Sequence, residues 1–281
     1  MKSGRSCWIM GYRWSNKAIG KENPMYSIVS LFLALFLVLL SGNPLPVIAA
    51  DKATDEEMNA KIGRMGESIV VDPETYKFSA AETMLWMDDH LKNISGPSRL
   101  YYEFEKKGSY EDGFEDSVFL EIIHVNDDGT KNTSLEFFTE ERNQAIPNDD
   151  LLRNLKGNPI LGIYLQGDVY EMDRMTEGNW RYFHRLIKLA LTDDHATIEH
   201  VNIDYDGKTL SGEKITITPY VNDLRRSQFE EFADKRYEFT LSKDIPGTLY
   251  QIKTVVPDHV HPANGPLIEE TLTLKEVKSS S

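Results

Sequence analysis

Cysteine is almost absent. The single one, Cys7, lies within the first fifty residues of a 281-residue chain. The part beyond residue 50 therefore has no disulfide, no thiol nucleophile and no thiolate metal site. No cysteine follows the apolar stretch at 28–40 to accept a lipid anchor. Catalytic signatures are missing too. There is no Gly-x-Ser-x-Gly elbow, no His-Glu-x-x-His, no Gly-rich phosphate loop and no Gly-x-Gly-x-x-Gly. Carboxylates are too numerous to single out a glycosidase pair, so no catalytic residue is assigned and no cofactor is expected. Positive charge is scarce, with a formal net charge of −14. Long apolar runs are scarce as well: the longest, 28–40, carries only Ser30 as a polar residue. It is shorter than the roughly 20 residues a membrane-spanning helix needs.

What is present before residue 50 reads as a secretion leader. Lys2, Arg5, Arg13, Lys17 and Lys21 precede the apolar stretch, and Gly42, Pro44 and Pro46 break it. Val47-Ile48-Ala49-Ala50 then supplies a cleavage site before Asp51. Residues 1–50 are expected to be a signal peptide, with Met25 as an alternative start; an uncleaved anchor is the competing reading. Losing the leader removes five bases and one acid, leaving 26 bases against 44 acids, a net charge of −18. Such a balance excludes nucleic acid as a partner, because phosphate must be neutralised by Lys and Arg. It also excludes charge-driven docking on anionic lipid headgroups. A periplasmic location is expected, without stable membrane insertion of the mature chain.

Residues 51–78 form a polar lead-in, 79–277 a single domain, and 278–281 a tail. Ser79 with Glu82 makes a capping box opening a helix over 80–93, where Met84, Leu85, Met87 and Leu91 recur at helical spacing. Period-two alternation predicts strands over 99–107, 117–126 and 130–140, the last two joined by Asp127-Asp128-Gly129. Segment 117–126 is apolar on both faces, which predicts cover on both sides. Helical spacing returns over 159–175 and 180–191, separated by Glu177-Gly178-Asn179. Strands resume over 197–205, 208–220, 236–241, 249–256 and 267–277, with a charged connection at 222–235. Strands in two consecutive runs, without strand–helix–strand alternation, predict an α+β class. The expected architecture is a curved antiparallel sheet or half-barrel of about eight or more strands. An N-terminal helix and a mid-chain helix pair would cover it.

This order of elements resembles the periplasmic lipoprotein carriers LolA and LolB over most of residues 79–277. No motif is matched residue by residue, and no functional position is carried over. The resemblance implies an open half-barrel whose helices form a lid over an apolar cavity. The expected ligand is then lipid-like or otherwise apolar, and any protein partner is unknown. An envelope hydrolase with an unrecognised site, or a ligand-free interaction module, are the rival expectations.

Candidate residues follow from that picture. Trp180, Phe183 and Ile187 form the strongest apolar stripe, and Tyr164 joins them from the preceding helix. As a lid lining an open pocket, this stripe predicts a stability loss below about 2 kcal/mol for Phe183→Ala. Glu171, Asp173, Arg174, Arg181, His184 and Arg185 crowd the same region. Arg174 and Arg181 are candidates for an anionic headgroup; the plainer reading is an exposed helix face tied by ion pairs such as Asp168 with Arg174. Asp258-His259-Val260-His261 places two imidazoles where an extended strand would aim both at one metal, yet a polar loop is the expected reading and no metal is assigned. Asp193-Asp194-His195, with Glu199 and His200, reads as a solvated turn. Asn93 and Asn132 match the glycosylation acceptor pattern by chance.

Overall fold

Ser79 carries the expected capping box: its hydroxyl accepts from Glu82 N at 3.0 Å, and its own N–H donates to the Glu82 carboxylate at 2.8 Å. The computed structural model describes residues 77–279 apart from 144–145, 147–151, 177 and 193–194. The leader, its cleavage site and most of the lead-in lie outside the described residues.

The capping box opens α1 (Ala80–Glu82), which widens at once into a π-helical turn (Thr83–Met87). Helix geometry stops there, short of the expected residue 93, because Asp88 is extended with φ −68° and ψ 145°. Leu91 is buried as expected, but in a loop that bonds Lys156 O through its backbone N–H.

Eight strands follow the alternation read from the sequence: β1 (Ser98–Lys107), β2 (Phe114–Val125), β3 (Lys131–Phe137), β4 (Thr197–Tyr205), β5 (Lys208–Ile217), β6 (Arg236–Leu241), β7 (Leu249–Val256) and β8 (Ile268–Ser279). The last strand extends into the predicted tail, since Ser279 pairs with Ser98. All neighbours are antiparallel, in the order β3-β2-β1-β8-β7-β6-β5-β4. The first and last strands are neighbours inside the sheet, third and fourth in the order, and β3 and β4 are the two edges. Chain leaving β3 must therefore cross the sheet to reach β4. It does so through α2 (Pro159–Met175) and α3 (Trp180–Ala190), capped by Asn158 and Asn179.

One sheet face carries the core. Cross-strand partners run Phe104, Leu272, Ile252, Phe239 and Ile215 across five adjacent strands, each at most 3% exposed. A row of this kind is the unit of sheet stabilisation. The opposite face is not covered in the way the two-sided pattern of β2 suggested. Its outer apolar residue Phe119 is met by the Arg99 guanidinium and the Tyr101 ring of β1, at 4.0 and 5.3 Å between centres, while Ile123 stays 58% exposed. The charged connection at 222–235 also departs from expectation. It folds into two short 3₁₀ turns that bury Phe229, Phe232 and Lys235. Among the described residues no helix is long and apolar enough to cross a membrane.

Candidate functional site

Parity on the strands places a second row beside the apolar one, and this row is polar. Lys106 on β1 faces Glu270 on β8, Glu270 faces Thr254 on β7, and Thr254 faces Tyr237 on β6. Above it lies α2, whose Tyr164, Asp168 and Glu171 recur at i, i+4 and i+7 and so share one side of the helix. The two sets meet. Tyr164 donates to Glu270 at 3.3 Å and lies 3.4 Å from the Thr254 hydroxyl. Tyr237 donates to Asp168 at 2.6 Å, and Lys235 donates to its other oxygen at 2.5 Å. Lys106 lies 3.5 Å from Glu171, 3.2 Å from Glu270 and 2.5 Å from Glu111. Tyr220 extends the chain by bonding Tyr237 at 2.8 Å.

Burial sets the electrostatics of this seam. It pushes the Asp168 carboxyl above its ordinary range, against the pull of Lys235 and the Tyr237 hydrogen bond. Burial also opposes charge on Lys106 and Glu171. For Lys106 the surrounding carboxylates outweigh it and hold the ammonium above its ordinary range. For Glu171 the Arg174 hydrogen bond and Lys106 outweigh it and hold the carboxyl low. The phenols of Tyr164, Tyr220 and Tyr237 are raised by burial and remain neutral donors.

The residues singled out from sequence fall into separate environments. Tyr164 belongs to the seam. Phe183 is fully buried in an aromatic cluster, its ring centre 5.1 Å from Phe229, 5.3 Å from Tyr220 and 6.4 Å from Tyr182. That packing replaces the loose-lid expectation for its stability contribution. It also explains the turn glycine: a Cβ on Gly178 would sit 2.1 Å from the Phe183 ring. Ile187 is buried beyond Phe183, and Trp180 is buried at the α2–α3 turn against Tyr170 at 5.5 Å, with the Arg181 guanidinium 4.4 Å from its ring centre. Arg174 bonds Glu171 in a fork at 2.9 and 2.5 Å. The expected Asp168–Arg174 pair is thus not made, because Asp168 points inward to Lys235. His184 is buried, and burial together with Lys188 lowers its pKa to about 4.

The His-x-His pair is split. His259 bonds Asp234 at 3.0 Å, whereas His261 lies 3.9 Å from Asp258. Among the described residues no group of three His, Cys, Asp or Glu side chains is placed to hold a metal ion. His200 projects from β4 toward Glu213 at 3.6 Å, while Asp193 and Asp194 lie outside the described residues. Asn93 is consumed by structure: its amide donates to Lys243 O and Ile245 O and accepts from Gly247 N. A polar cleft of about 320 Å³, lined by Ile123, His124, Asn132, Thr133, Ser134 and Arg153, lies at the β2–β3 edge.

Sequence reasoning missed Lys106, Lys235, Tyr237 and Glu270. A signal for two of them was available: Lys106 follows Leu100, Tyr102 and Phe104 at period two, and Glu270 precedes Leu272 and Leu274 in the same way. A charge in phase with a core-facing alternation is out of place unless something meets it.

No protein-family model matches the chain, and no characterised protein matches its sequence. Among solved structures it is similar to a LolA superfamily protein from Nitrosomonas europaea, at 9% identity and a TM-score of 0.21, over 72% of this chain and 94% of that one.

Proposed function

We propose that this is an exported envelope protein that binds a lipid-like or other apolar ligand between the apolar face of its sheet and a helical lid formed by α2 and α3. One observation carries the reading: the helices lie in the connection from one sheet edge to the other, and α2, beside its buried apolar residues Ile160, Leu161, Leu165, Val169 and Met172, meets the sheet through a polar, ionic seam. Lifting an all-apolar helix exposes surface at about 25 cal/mol per Å². Lifting one whose seat is partly ionic also returns charges to water, and a buried ion pair is close to break-even against solvation. A helix seated this way separates at lower cost than its buried area suggests. Once it lifts, Tyr164, Trp180, Phe183 and Ile187 present apolar surface to the ligand. Arg174 and Arg181 flank the α2–α3 turn, where an anionic headgroup meets forked donors. The leader at 1–50 delivers the chain to the periplasm.

Mass spectrometry of protein purified without detergent, together with titration of a fluorescent fatty-acyl probe, tests this. Co-purified lipid that the probe displaces is the expected result. Absence of both lipid and saturable probe binding removes the carrier reading.

A further inference from the structure

His90 is 1% exposed, in the loop between the π-helical turn and β1. Its Nε2 lies 2.6 Å from Met84 O, and its Nδ1 lies 3.1 Å from Asn158 N. A backbone carbonyl only accepts and a backbone N–H only donates. Nε2 therefore carries the proton, Nδ1 is bare, and the ring is neutral in one fixed tautomer. A second proton on Nδ1 would point at the Asn158 N–H with no acceptor to meet it.

The ring stands where the cover joins the sheet. Asn158 caps α2 by accepting from Ile160 N at 3.1 Å, and its amide donates to Tyr102 on β1 at 3.2 Å and to Gly247 O in the β6–β7 turn at 3.1 Å. Thr248 of the same turn donates to His90 O at 2.9 Å. The charged and titratable groups around His90 are Asp88 and Asp89 of its own loop, Lys243 of the β6–β7 connection at 3.8 Å from Asp88, and the neutral phenol of Tyr102.

We infer that His90 is a proton-operated clasp, whose protonation releases the π-helical turn and the N-terminus of α2 from the β6–β7 end of the sheet and so loosens the cover. The clasp holds for this fold whatever ligand the cover encloses. Burial lowers the His90 pKa, and the hydrogen bond to Met84 with the charges of Asp88 and Asp89 only partly offsets it. A depressed folded-state pKa means that the released ring takes up the proton first. The contribution is complete above the unfolded value of 6.5 and is lost as pH falls from there through the folded value.

Peptide-resolved amide exchange at pH 7 and 5.5, corrected for intrinsic rates, tests the clasp. In the wild type, segments 84–94 and 158–163 should open more readily on acidification, by up to about tenfold per pH unit for one linked proton. His90→Gln keeps a donor and an acceptor but does not titrate, and should remove that pH response. Equal acid responses in the two proteins, or none in the wild type, overturn the inference. Because the variant could fail to fold, ring nitrogen shifts of wild-type His90 give a second measurement. A neutral Nε2–H tautomer persisting below pH 6 supports the clasp, and an ordinary titration near 6.5 ends it. His184, on α3, reports in different peptides.

Discussion

Phe183 shows how far a single residue can be read. Its place in an apolar stripe with Trp180 and Ile187 is plain from spacing, but its neighbours Tyr220 and Phe229 come from the segment between β5 and β6. With three rings around it and no exposed surface, Phe183→Ala leaves a void that backbone relaxation cannot close. A loss of about 3–5 kcal/mol in urea unfolding is expected; a loss under about 2 kcal/mol would mean that the cluster is loose and the stripe already faces open space. Asp168 teaches the reverse lesson. From spacing it belonged with Arg174 on a solvated face, yet Lys235, 67 positions away in sequence, draws it inward.

At the scale of elements, β6 and β7 have the bounds that alternation predicts, because a half-buried strand writes its period directly into the sequence. The two long helices were legible for the same reason. The π-helical turn was not, since Leu91 keeps helical phase with Met84 and Met87 while being buried by a loop contact. The seam under α2 is an element-scale property with a measurable signature. Asp168→Asn leaves the Lys235 ammonium buried without its counter-charge and should cost about 3–5 kcal/mol. Asp168→Leu combined with Lys235→Met removes both charges and should regain most of that loss, with Tyr237 still bonded to Tyr220. The same double variant should take up the acyl probe more slowly, because an apolar seat resists lifting. Thermal melts and stopped-flow uptake read the two effects separately. A double variant as unstable as the single one would show that the ion pair stabilises outright.

For the whole molecule, the decisive contact is β1 on β8, which joins the two runs of strands into one sheet and sends the helices across it. The leader proposed for residues 1–50 makes a whole-molecule prediction of its own. If that leader is cleaved, the purified protein should begin at Ala50 or Asp51 and be released with the soluble envelope fraction. Recovery of peptides from 28–40 in mass spectrometry of that protein would show an uncleaved anchor instead.

Local chemistry was enough to determine the class of the fold. The capping box, turn residues and periods of two and 3.6 are carried by neighbours in sequence, so α1 begins at Ala80 and eight strands appear where alternation places them. Which strands meet, which charges are buried and which aromatic rings touch were decided only by the tertiary structure. Lys106 finds Glu270 across the β1–β8 junction, and His90 finds Asn158 at the start of α2. Such pairings join residues far apart in sequence, whose partnership leaves no period and no spacing to read. Their energy exists only once the sheet has formed and water has been excluded from between them.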